Sequence, residues 1–323
     1  MRPLKFHPIL KQTLWGGERI IPYKELASGL SRVGESWELS GMPGSESVVA
    51  EGPWAGSTLS ELIGRFGAEL LGKANYARFG QEFPLLVKFI AAREDLSIQV
   101  HPDDELARKR HGKSGKCEMW YVLEAEPGAS LLTGFSRPIA PAEYERRVAD
   151  NTLTDVLNRQ AIASGDVFYL PAGRVHSIGK GSFIVEIQQS SDITYRIYDF
   201  DRRDAAGNSR ELHTELAREA IDFESSENSR ITYAPENNQE VRLVTTPYFT
   251  TSLYTLTART RCDWSATDSF VAIVLLQGSG SLTDNEGNRI DVRQGETWLL
   301  PASTQWTEIT PHTAPLRLLT SRI

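Results

Sequence analysis

The sequence predicts a mainly β protein with helical insertions, folded as two β-barrels of one type. Three observations carry this reading. Short runs of β-branched and aromatic residues recur along the 323 residues, separated by glycine and proline turns, as in barrels and sandwiches. Three stretches, at about 57–78, 103–112 and 138–160, switch to helical spacing or helix-terminus chemistry. One frame occurs twice: Gly165-Asp166-Val167-Phe168-Tyr169-Leu170-Pro171-Ala172 and Gly295-Glu296-Thr297-Trp298-Leu299-Leu300-Pro301-Ala302. A chain of this length exceeds one small core, and the natural division is 1–230 and 231–323.

Taken in order, residues 4–10 read as an edge strand interrupted by Pro8, residues 14–17 as a tight turn, and residues 33–40 as a buried strand. From Ser57, an N-cap precedes Leu59, Leu62, Ile63, Phe66, Leu70 and Leu71 at three- and four-residue intervals, predicting one helix to about Gly72. Residues 83–92 are almost continuously apolar, which predicts a central strand covered on both faces. Lys88 interrupts the run: it either snorkels at a sheet edge or meets an anion in a polar barrel mouth. Residues 97–102 and 116–123 read as strands flanking a short helix whose first turn is acidic and last turn basic, matching the macrodipole. Helical spacing returns at 140–148 and 153–157. Strands are predicted at 167–170, 182–189 and 190–201, then a helix over 214–221. The polar stretch 223–239 reads as a link, and almost all of the remainder as strand and turn.

Side chains alternate along a strand, so Ser97, Gln99 and His101 share one face, and Lys116, Glu118 and Trp120 share another. His176 opens a strand after a Pro/Gly turn. Amide, imidazole and carboxylate donors suit a borderline divalent ion such as zinc, and a set with only two histidines leaves a coordination position for substrate. In the second copy of the repeated frame Trp306 stands where His176 stands in the first, so the metal site belongs to the first barrel alone. Asp192, Thr194, Arg196 and Tyr198 share a face of their strand. His7, His111, His213 and His312 have no partner motif and read as surface residues.

Composition excludes several classes. Apolar residues make up 40% and charged residues 24%, with a net charge of -7 and no basic run interleaved with aromatics, which argues against nucleic-acid binding. The two cysteines, Cys117 and Cys262, read as free thiols of a reducing compartment. No apolar stretch approaches a membrane span and the start shows no signal region, so the expected location is the cytoplasm. Oligomeric state is not legible.

The segments around Trp15-Gly16-Gly17, Gly34-Glu35-Ser36-Trp37-Glu38, residues 96–103, 115–123, 170–178 and 194–202 together resemble the cupins, and more closely the type I phosphomannose isomerases in their short bacterial form. The resemblance implies two cupin-type (jelly-roll) barrels, one zinc ion per chain on Gln99, His101, Glu118 and His176, and an active-site arginine and lysine at Arg196 and Lys116. It implies a sugar phosphate as partner, and reversible isomerisation of mannose 6-phosphate and fructose 6-phosphate. Such a reaction moves a proton between neighbouring carbons through an enediolate, whose charge Arg196 and Lys116 would stabilise. A metal-bound water, Lys116 and Glu186 are the candidate bases. Ser97, Lys88 and Lys116 are the candidates for the phosphate, with Ser97, Lys88 and Glu186 expected to line the substrate pocket. Longer members carry a histidine immediately before the lysine, where this chain has Gly115. The competing readings are a non-catalytic sugar-phosphate-binding cupin and an isomerase acting on another sugar phosphate.

Overall fold

The computed structural model describes residues 1–204, 206–224 and 228–323; residues 225–227 of the expected link 223–239 lie outside the described residues. Strands dominate. A seven-stranded sheet runs in the order Arg230–Ile231, Val167–Leu170, Glu118–Ala125, Ser182–Gln189, Leu85–Ala92, Ile9–Gly17, Val33–Leu39. A five-stranded sheet, Leu157–Ala161, Ser130–Phe135, His176–Ile178, Ile98–Val100, Tyr195–Tyr198, accompanies it. The second half forms a six-stranded and a four-stranded sheet, and the six-stranded one takes Leu4–Lys5 from the chain start as an edge strand beside Thr297–Leu300.

The apolar run around Lys88 forms Leu85–Ala92, buried at every residue, and the reason is visible on its two faces. Ile90 and Ala92 pack with Trp120, Val122, Phe168 and Ile184 of the same sheet and with Leu131 and Ile178 of the five-stranded sheet. Leu85, Val87, Phe89 and Ala91 join a second cluster with Ala272, Val274, Leu276, Leu299 and Leu319 of the six-stranded sheet. Each fully buried Leu, Val, Ile or Phe among them contributes about 1.5–3 kcal/mol. The second half therefore acts as the apolar cover of the first half's large sheet.

Several local expectations are corrected. Residues 14–17 are no turn but the end of the strand Ile9–Gly17. Gly16 is there for close approach: a Cβ on it would lie 2.2 Å from the carbonyl oxygen of Arg32. Residues 157–160, expected as helical insertion, belong to the strand Leu157–Ala161, following a short 3-10 turn at Leu153–Val156. The strand expected over 190–201 is confined to Tyr195–Tyr198.

The helix expected from Ser57 to Gly72 is divided at Gly67 into Leu59–Phe66 and Ala68–Leu71, and Lys73–Phe79 follows. Thr58, not Ser57, is the cap: Glu61 N donates to its hydroxyl, while Thr58 N donates to the Glu61 carboxylate, closing a capping box. Lys73–Phe79 is capped from the other half of the chain, because Lys73 N and Ala74 N donate to the two carboxylate oxygens of Asp268 at 2.7 and 2.9 Å. Asp268→Ala is expected to lower the free energy of unfolding by about 1–2 kcal/mol. Chemical denaturation checks it, and an unchanged midpoint would show that this cap contributes nothing.

Candidate active site

The two sheets of the first half hold the chemistry between them. In the five-stranded sheet Gln99 pairs in register with His176 on one neighbour and with Arg196 on the other, so three adjacent strands present imidazole, amide and guanidinium side by side. In the facing sheet Glu186 pairs in register with Lys88 and Trp120, and Gln188 with Glu118. His101 and Lys116 flank the helix Asp104–His111.

His101, Glu118 and His176 converge, their candidate ligand atoms within 4.8 Å of one another, and all three are buried. His101 Nδ1 lies 2.8 Å from the carbonyl oxygen of Ile193, and His176 Nδ1 lies 2.8 Å from that of Arg174. Each Nδ1–H therefore donates outward, a tautomer assigned from this network, and each Nε2 lone pair points inward. Burial, then the Lys116 charge and the neighbouring His176, hold His101 well below its usual pKa; burial foremost brings His176 down to about 4. Both rings are thus neutral ligands at neutral pH.

The Glu118 carboxyl is fully buried, and its Oε1 stands 3.2 Å from His176 Nε2 without a hydrogen bond. Burial and the nearby Glu186 raise its pKa, with Lys116 opposing at 2.8 Å from Oε2. The Gln99 amide lies 3.3 Å from His176 Nε2. Two inward lone pairs, a dry carboxylate and an adjacent amide fit a divalent cation. Among the described residues no other group of this kind is present, in keeping with Trp306 opening the corresponding strand Trp306–Pro311 of the second half.

Gln99 and Lys116 also line a cavity of about 140 Å³, with Ser97, Lys88, Glu186, Thr194 and Arg196. Lys88 is no sheet-edge residue: it sits in a central strand, buried, 2.9 Å from Glu186 and 3.9 Å from Glu35. Burial would lower its pKa, but Glu186 and Glu35 outweigh burial and hold it above its ordinary range. Burial would likewise raise Glu186; Lys116 and Lys88, with hydrogen bonds from Lys88 and Trp120, keep it low and ionised. Trp15 both joins the apolar core and forms part of the cavity wall. A larger recess of about 340 Å³, lined by Arg19, Arg93 and Glu124 among others, lies away from His101, Glu118 and His176 and contains no comparable convergence among the described residues.

A probable mannose-6-phosphate isomerase of Bacillus subtilis is 34% identical to this chain over 93% of either sequence. The chain belongs to the type I phosphomannose isomerases. The family's model, described as phosphomannose isomerase type I, catalytic domain, matches residues 4–132. The mannose-6-phosphate isomerase of Streptococcus mutans is 33% identical over 93% of this chain and 92% of its own. The crystal structure of the mannose 6-phosphate isomerase of Bacillus subtilis superposes on 100% of both chains with a TM-score of 0.90 at 29% identity.

Gly115 departs from the longer isomerases for a steric reason. A Cβ there would lie 2.5 Å from the backbone carbon of Asp103 and 2.6 Å from the nitrogen of Asp104, so the start of the Asp104–His111 helix occupies the space a histidine would need. Two charged cavity residues escaped the sequence reading. Glu35 was visible only as one position of an alternating strand, and Arg210 lies in a loop with no period to expose it, brought in by its ion pair with Asp199.

Both cysteines are free and buried, and among the described residues no helix is long and apolar enough to cross a membrane.

Proposed function

We propose that this chain interconverts mannose 6-phosphate and fructose 6-phosphate with one zinc ion held by Gln99, His101, Glu118 and His176. The observation that carries the reading is the convergence of two neutral imidazoles and a dry carboxylate beside a cationic cavity, in a chain whose relatives are named for this reaction. Bound there, zinc would polarise the oxygens on carbons 1 and 2 of the open-chain sugar. Arg196, in register with Gln99, and Lys116, against Glu118, stabilise the negative charge that develops on those oxygens as the carbon-bound proton leaves. Ser97, Lys88 and Glu186 hold the sugar: Ser97 offers a hydroxyl, and the Lys88–Glu186 pair offers a donor and an acceptor whose positions are fixed by their mutual hydrogen bond.

Residues 1–230 then form the catalytic cupin barrel with its helical insertions. Residues 231–323 form a metal-free cupin-like unit whose role is to cover the large sheet. The free thiols support a cytoplasmic location.

A coupled assay on protein of measured metal content tests the reading. Turnover of mannose 6-phosphate is expected to vanish with a chelator and to return with zinc. Stoichiometric zinc without turnover would overturn the activity and keep the site.

A further inference from the structure

The positive charge of the site is unevenly distributed. Deep in the cavity, Lys88 and Lys116 face three carboxylates, Glu35, Glu118 and Glu186, at 2.8 to 4.0 Å. Those lysines are already matched, and pulling either away would break a buried ion pair. Toward the outside the balance reverses. Asp199, itself buried, takes Arg210 on both carboxylate oxygens, with Nε at 2.7 Å from Oδ2, and takes Arg202 at 3.2 Å. Arg196 stands on the strand Tyr195–Tyr198, which ends just before Asp199, with no carboxylate at ion-pair distance among the described residues. Its Nε and the Nη1 of Arg202 are buried and make no hydrogen bond, although that Nη1 lies 3.9 Å from the Glu94 carboxylate.

Arg210 occupies a particular place in this group. It lines the cavity that holds Gln99, Lys116 and Arg196, and it lines the open groove of about 540 Å³ formed with Gln12, Thr13, Leu14, Trp15, Arg32 and Glu35. It therefore stands where the closed site meets solvent, its side chain 28% exposed. The fork to Asp199 uses Nε and Nη2 and leaves Nη1 outside it.

We propose that Arg210 recognises the 6-phosphate and thereby sets the preference for a phosphorylated over an unphosphorylated aldose. This deepens, and rests on, the isomerase reading above. With carbons 1 and 2 at the metal end, the phosphate on carbon 6 extends four carbons beyond carbon 2, toward the mouth. A guanidinium there makes charge-assisted hydrogen bonds with a dianion. Because Asp199 already fixes the side chain, little rotamer freedom is lost on binding. The half-exposed position lets the charge meet the phosphate as it arrives, before the sugar reaches the inner carboxylates.

The test uses the full-length, metal-loaded enzyme. In Arg210→Gln, Asp199 keeps Arg202. The KM for mannose 6-phosphate is expected to rise about 10- to 100-fold, the size of a lost hydrogen bond to a charged group, while kcat changes far less. The inhibition constant of inorganic phosphate should rise by the same factor, and the kcat/KM preference for mannose 6-phosphate over mannose should narrow with it. Arg210→Lys, which keeps the charge and a contact to Asp199 but not the fork, should fall between and gives the answer if the glutamine variant does not fold. Unchanged KM and phosphate inhibition in a folded variant would overturn the assignment. A wild-type protein that fails to turn over mannose 6-phosphate overturns the isomerase reading instead. In that case the shift of the melting temperature by inorganic phosphate still reads Arg210: its loss in the variant supports the phosphate site, its retention overturns it.

Discussion

Glu118→Gln is expected to remove both the bound metal and the activity. The side chain is wholly buried and supplies the only carboxylate among the three converging candidate ligands. An amide of the same shape withdraws the negative charge that a divalent ion needs in a dry site. Loss of a contribution of several kcal/mol to the reacting oxygens corresponds to about a thousandfold or more in turnover. Metal analysis of the purified variant beside the coupled assay checks it; stoichiometric metal with near-normal turnover would refute the ligand assignment. The change also takes from Lys116, only 5% exposed, its carboxylate partner at 2.8 Å and leaves it Glu186 at 4.0 Å, and breaking a buried pair costs up to about 3–5 kcal/mol of stability. His101→Ala separates the two effects: it deletes an Nε2 ligand and leaves the Lys116–Glu118 pair in place, so the metal should again be lost with a smaller fall in melting temperature.

Arg196→Ala should behave oppositely. The metal stays, because none of the converging ligands is hydrogen-bonded to the guanidinium, whose Nη1 donates instead to the carbonyl oxygen of Glu211 at 2.9 Å. Turnover is expected to fall by about 10²–10³, the usual consequence of removing one fixed donor from developing negative charge. Stability should change by only about 1 kcal/mol, that of one hydrogen bond. Measurement of kcat with metal content on the same sample decides; a KM effect with kcat preserved would move Arg196 from the reacting oxygens to the phosphate.

The site was legible in sequence wherever the strand period governs. Gln99 and His101 were assigned to one face because equivalent strand positions recur every second residue; that Gln99 stands in register with His176 and Arg196 depends on which strands pair, and the period does not give that. What the period cannot say is which charges compensate one another. Lys88 and Glu186 lie 98 residues apart and meet at 2.9 Å only because their strands are neighbours in the sheet. Arg210 depends on a loop whose course is set by Asp199, and no local pattern encodes that pairing. The helix break at Gly67 was missed for a different reason: the apolar spacing continues across it to Leu70 and Leu71, so the pattern of burial persists while the backbone changes direction.

The edge strand Leu4–Lys5 has a consequence for how the protein is made. Leu4 pairs with Leu299, so a strand made early must wait for one made 295 residues later. During that interval the large sheet can assemble from residues already synthesised, yet the face carrying Leu85, Val87, Phe89 and Ala91 has no cover until 231–323 emerges. At elongation rates of about 5–20 residues per second this leaves the nascent chain with a bare apolar surface for roughly 5–20 s. The same interface that secures the finished enzyme is thus the adhesive surface of its precursor, and a stalled or prematurely terminated chain would expose it permanently.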